Sequence, residues 1–143
     1  MAGAKRNRQL QTVQDLYAVK EDQVGRELAQ LRKAHESAVA KLNELKEMTD
    51  EYRPDDQSHG AQGIGAIKLK RRFHGELMGA QAIQERVVDE HHLRARDALA
   101  RYVTAHQRVD ALRRLIEKRE REHKKRVLKK IERAQVLRTP TKL

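Results

Sequence analysis

LQTVQDLYAVKEDQVGRELAQLRKAHESAVAKLNELKEMTDEY, residues 10–52, carries an apolar or small side chain at every seventh position: Leu10, Tyr17, Val24, Leu31, Ala38, Leu45 and Tyr52. A spacing of seven keeps these side chains on one stripe of a gently supercoiled α-helix, so the row is one half of a coiled-coil seam. The interleaved row is Gln14, Glu21, Leu28, His35, Leu42 and Thr49, partly polar. Such a seam pairs with another helix and stays soluble. The stretch therefore predicts a long helix whose work is binding.

Composition narrows the alternatives. With 37% charged residues, one Phe, no Trp and two Pro in 143 residues, the chain has too little bulky apolar material for a globular core, and its periodicity is too regular for a disordered chain. Apolar rows between helices are the core that remains. No apolar run approaches the roughly 18 residues that span a bilayer, and the start MAGAKRNRQLQ has no hydrophobic signal region, so a cytoplasmic protein is expected. The absence of cysteine excludes disulfides and thiolate zinc sites.

The organisation expected is all-α, an antiparallel two-helix coiled-coil hairpin with a longer second helix, filling one unit from 1 to 143. Helix 1 runs over 10–53 and stops at Pro54, which lacks a backbone donor and disfavours helix at Arg53. Residues 54–65, PDDQSHGAQGIG, gather Pro, Asp, Ser and three Gly into a turn. Helix 2 runs over 66–138, with Val88, Ala95, Tyr102, Val109 and Ile116 in one row and His92, Leu99 and His106 in the other; 139–143 is a tail. A short turn makes the antiparallel arrangement natural. Folding about residue 57 sets Leu10 near Thr104, and everything beyond overhangs helix 1. A hairpin closes its seam within one chain, so a monomeric or weakly associating molecule is expected.

Charge follows the overhang. Residues 1–100 hold 17 Lys and Arg against 16 Asp and Glu, and residues 101–143 hold 15 against 5. The densest stretch, EKREREHKKRVLKKIERAQVLR, keeps Ile116, Val127, Leu128, Ile131 and Leu137 within or beside its basic residues. It is either an amphipathic helix that docks with electrostatic guidance or a solvated helix laced by i,i+4 charge pairs.

Chemistry finds little purchase. His91 and His92 beside Asp89 and Glu90 have the wrong spacing for a helical metal site, because ligands for one ion need i,i+3 or i,i+4 separation. His92 and His106 fall in the expected seam, where a polar residue sets register. GAQGIG lacks the preceding strand and following Lys-Ser/Thr of a phosphate loop, and a two-helix hairpin offers no cleft for catalysis. Neither an enzyme nor a cofactor nor a small-molecule substrate is expected. Nucleic acid is a competitor, because a pI near 10.2 and a basic helix are its electrostatic footprint. Yet Tyr102 is the one aromatic of that region, and neither helix-turn-helix nor zinc spacing is present.

Next to the turn, Leu45, Met48 and Tyr52 descend toward Pro54, while Phe73, Leu77, Ala80 and Gln84 form one stripe of helix 2 and Gly75, Met78, Gly79 and Ala82 a second. A hairpin buries one stripe of each helix. If helix 1 packs on the small stripe, Phe73 and Leu77 are an exposed anchor for a partner; if it packs on the Phe73 stripe, they are core.

LNELKEMTDEYRP closing helix 1, the turn ending GIGAIKLKRRF, the Phe73, Leu77, Ala80, Gln84 stripe and the basic Glu-rich end of helix 2 together resemble the FliJ family of the bacterial flagellar type III export apparatus, over nearly the whole chain. Injectisome proteins of the YscO type look similar. The resemblance implies a non-catalytic hairpin, similar to the stalk subunit of rotary ATP synthases, that links the hexameric export ATPase to the membrane export gate. The ATPase regulator and export chaperones are the further candidate partners, and the location is cytoplasmic, peripheral at the inner membrane. By that resemblance Leu45, Met48, Tyr52, Phe73, Leu77 and Ala80 match a patch facing the gate, with Lys41 and Gln84 at its polar positions. By the stalk analogy the terminal end, with Leu10, Val13, Arg114, Lys118, Arg119, Lys124 and Lys125, faces the ATPase.

Overall fold

The computed structural model describes residues 2–54 and 63–138. The middle of the expected turn, 55–62, and the tail, 139–143, lie outside the described residues. Two helices account for the fold: α1 over Ala2–Glu51 and the longer α2 over Ile64–Arg138, with no strand among the described residues. They pack against each other as an antiparallel, all-α hairpin.

Both helices start earlier than the heptads suggest. AGAKRNRQ contains no proline and no β-branched residue, so nothing stops α1 from extending back to Ala2. At the other end Tyr52 N donates to the Met48 carbonyl (3.0 Å) and Arg53 N to that of Asp50 (3.3 Å), a tightening last turn before Pro54. The first turn of α2 closes on Gly63, whose carbonyl accepts from Ala66 N at 3.0 Å and Ile67 N at 3.2 Å. Gly65 thus falls inside the helix.

The chain divides into two compact units: the first pairs the start of α1, through Gly25, with α2 from Arg101 onward, and the second contains Arg26–Ala100. In the second, Tyr52 lies against Phe73, Ala38 against Gln84 and His35 against His92. In the first, Gly25 lies against Tyr102 and Glu21 against His106. Numbers fall on α1 as they rise on α2, so the packing is antiparallel in each.

On α1 both heptad rows are covered: Leu28, Ala38, Leu42 and Thr49 are buried and the rest half-buried, apart from Tyr52 at the end. On α2 the row Val88, Ala95, Tyr102, Val109 and Ile116 is also covered. Its companion is not the expected one. His92, Leu99 and His106 are exposed, and the second row is Leu77, Gln84, His91, Ala98, Ala105, Leu112 and Arg119, all buried or half-buried. Ala98, at 0% exposure, shows why. Small side chains let the helices approach, so the row that carries Ala98 and Ala105 takes the centre and the bulkier Leu99 stays on the flank.

The register is also corrected. Tyr102 and His106 face Gly25 and Glu21, which places Thr104 at their level rather than beside Leu10. Cover from α1 therefore extends along α2 to Arg119, and every residue from 120 to 137 is exposed. The slip follows from the pairing at the end of α1: Tyr52 meets Phe73, nine residues into α2, where a fold about residue 57 would set it at residue 62.

Gln84 locks the register in the second unit, its Nε2 donating to the Ala38 carbonyl at 3.0 Å from a buried position. Replacing it by Ala removes that bond without orphaning the carbonyl, so a loss of about 1 kcal/mol is expected in urea unfolding. The stripe of Gly75 and Gly79 turns away from α1, and a Cβ at either would meet nothing within 4 Å. Both sit in a helix interior, where Gly costs about 0.8–1 kcal/mol relative to Ala. The Gly75→Ala, Gly79→Ala variant should therefore raise the thermal midpoint; a lowered midpoint would mean these positions are packed.

Candidate functional site

Two clusters emerge from this geometry, one in each unit. In the second unit, Tyr52 of α1 and Phe73 of α2 meet edge to face, ring centroids 4.7 Å apart at 82°, the arrangement that ring quadrupoles favour. Because the first turns of α2 run past the end of α1, Ala66, Leu69 and Lys70 join these rings around an open, mostly apolar concavity. Phe73 is 40% exposed and Tyr52 42%.

Of the patch that the resemblance marks, Met48, Tyr52 and Phe73 are exposed and Leu45 and Ala80 half-buried. Leu77 is only 8% exposed, so the exposed anchor of Phe73 with Leu77 does not form as a pair. The two lie one helical turn apart, and Leu77 points nearer the centre of the seam. Gln84 is likewise committed inward, to Ala38, whereas Lys41 is exposed. Leu69 was missed. Its signal in the sequence was the i,i+4 relation to Phe73, which sets the two on the same flank of α2.

In the first unit, Arg119 lines a cleft of about 210 Å³ with Arg6, Asn7 and Gly3 from α1 and Glu122, His123 and Arg126 from α2. Leu10 is half-buried and Val13 exposed, as are Lys118, Lys124 and Lys125. Arg114 is already engaged: its guanidinium lies 3.0 Å from Asp110 Oδ2, and Arg113 bonds the other oxygen of the same carboxylate. The sequence singled out Arg119 but not Arg6 or Arg126, which join it only once the register is known.

His35 and His92 stand 5.6 Å apart, centroid to centroid, in a groove that Arg32 and Arg96 also line, and those guanidiniums oppose a cation there. His106 Nδ1 lies 3.5 Å from Glu21 Oε1. Among the described residues, no group of three His, Asp or Glu side chains is placed to hold a metal ion, and no helix is long and apolar enough to cross a membrane.

Against known proteins, the family described as Flagellar FliJ protein matches residues 6–136. The chain belongs to the FliJ family. No curated protein and no solved structure matches it. The match runs through both helices and takes in both clusters apart from Gly3, and membership carries a flagellar export-associated role in a family of non-enzymatic components.

Proposed function

We propose that the chain is a non-catalytic coupling and escort component of flagellar type III export. Its basic terminal end binds the export ATPase ring, and the apolar patch at its turn end binds the membrane export gate. It works in the cytoplasm, peripheral at the inner membrane, with the ATPase regulator and export chaperones as further partners. The observation that carries this is the family match over 6–136. The exposed Tyr52, Phe73 and Leu69 support the gate contact, since an aromatic pair on rigid helices is a typical hot spot. The excess of Lys and Arg after residue 100 supports the ring contact, where charge would guide docking.

The test is capture of the full chain by the cognate export ATPase and by the cytoplasmic part of the gate, with ATP hydrolysis measured alongside. The chain alone should hydrolyse nothing and should raise the rate of its ring partner. Capture by an injectisome ATPase instead of the flagellar one would move the protein to the YscO branch. Retention on duplex DNA with neither partner captured would make it a nucleic-acid-binding coiled coil.

A further inference from the structure

At its terminal end the seam changes character. Carried one heptad back from Leu10 and Gln14, the rows of α1 reach Gly3 and Asn7; carried one heptad on from Ile116 and Arg119, those of α2 reach His123 and Arg126. None of the four has a large apolar side chain, so burial cannot hold the two helices together here as it does at Ile116, which is 7% exposed. Charge there is one-sided. Arg6, Arg119 and Arg126 line the cleft between α1 and α2, and Glu122 is the one carboxylate lining it, so three guanidiniums against one carboxylate leave a surplus of two positive charges with His123 neutral. Gly3 brings no side chain into this space, and a Cβ on it would meet nothing within 4 Å. The first turn of α1, which reaches the cleft at Gly3, carries no acidic residue, so the positive end of the helix dipole adds to the same field. A helix contact built of like charges around an open space is stabilised by a counter-charge placed in that space.

We propose that this cleft binds a phosphate or diphosphate group, and that the bound group clamps the first turns of α1 onto α2. Size limits the ligand. A volume of about 210 Å³ lies below the roughly 300–1,000 Å³ of pockets that enclose a whole organic molecule, so the cleft takes an inorganic anion or the phosphate end of something larger. Geometry favours phosphate over carboxylate. One guanidinium fork occupies both oxygens of a carboxylate, whereas guanidiniums reaching in from two helices can divide the oxygens of a phosphate among them, with the Asn7 amide as a further donor. A doubly charged phosphate also answers the surplus charge, and Arg119, half-buried at the covered edge of the seam, is where that attraction is least screened by salt. Free pyrophosphate and a nucleoside diphosphate present this same chemistry. The inference rests on the cleft alone and not on the ring contact in which Arg119 is also placed, so either can fail without the other.

Calorimetric titration of the full chain with sodium pyrophosphate tests it, with ionic strength held constant by chloride and no other protein present. One saturable site is expected. Arg119→Gln and Arg126→Gln should each weaken it by at least about tenfold, as loss of a charge-assisted hydrogen bond does. Arg121→Gln removes the same charge from the opposite side of α2, since two residues along a helix turn about 200°, and should bind like wild type. Titration with ADP separates the two sources: affinity no better than that of pyrophosphate assigns the site to the free anion, and tighter binding assigns it to a nucleotide. Amide hydrogen exchange over residues 6–12 should slow when pyrophosphate saturates the cleft, as it does when a fraying helix end is tied down. Three results would overturn the proposal: no saturable binding at constant ionic strength; Arg119→Gln and Arg121→Gln weakened alike, which would assign the anion to the basic arm as a whole; or saturation that leaves exchange over residues 6–12 unchanged, which would remove the clamp.

Discussion

Leu77→Ala is expected to lower the unfolding free energy by about 2–4 kcal/mol, whereas Phe73→Ala, one turn away on the same helix, should cost about 1 kcal/mol. The difference follows from where each side chain ends. Leu77 is 8% exposed, in the same buried row as Gln84 and Ala98, and truncation leaves a void that neighbouring helix backbones cannot fill. Phe73 is 40% exposed and loses chiefly its edge contact with Tyr52. Binding should run the other way. If the turn end docks on the gate, Phe73→Ala removes a central anchor and should weaken capture by about thirtyfold, the equivalent of 2 kcal/mol. Leu77→Ala should bind normally wherever it is folded. Urea unfolding and gate capture on the two single variants separate the roles, and a Phe73→Ala protein that is strongly destabilised but binds normally would return Phe73 to the seam.

The pair also shows how far the sequence could be read. Period seven from Leu10 to Tyr52 identified one stripe of α1 without ambiguity, because large apolar residues repeat on it and polar ones surround it. On α2 the spacing placed the second row one residue off. Periodicity set Leu99 with His92 and His106 beside the Val88 row, yet a close two-helix contact prefers Ala98 at its centre and leaves Leu99 40% exposed at the rim. A single-residue error of this kind turns the helix by about 100° and moves His92 and His106 from core to flank. Register was harder still. Pro54 marks where α1 must end, but no residue announces that α2 starts at Ile64 and sets Phe73 against Tyr52. Without that offset the cleft of Arg6 with Arg119 and Arg126, and the partnership of Leu69 with Tyr52, could not be foreseen, since each joins residues that only the pairing of the two helices brings together.

Neutralising Arg114, Lys118, Arg119, Lys124 and Lys125 together, by change to Gln, is expected to weaken association with the ring ATPase by at least about tenfold at low salt, with the gap to wild type closing as salt rises. The five should not contribute equally. Arg114 spends its charge on Asp110, so its loss alone should matter least and should release Asp110 to Arg113. Arg119 is half-buried in a cleft beside two further guanidiniums, where an incoming carboxylate is shielded from water and interacts most strongly; Arg119→Gln alone should account for the largest single share. Lys118, Lys124 and Lys125 project into solvent and should act mainly on the association rate, as long-range attraction does. All five lie outside the well-covered part of the seam except Arg119 at its edge, so the thermal midpoint should move little. Stopped-flow association and steady-state ATP hydrolysis across a salt series read both effects. Unchanged stimulation of the ATPase, together with loss of duplex DNA binding in the same variant, would assign this charge to nucleic acid and leave the ring contact without its electrostatic basis.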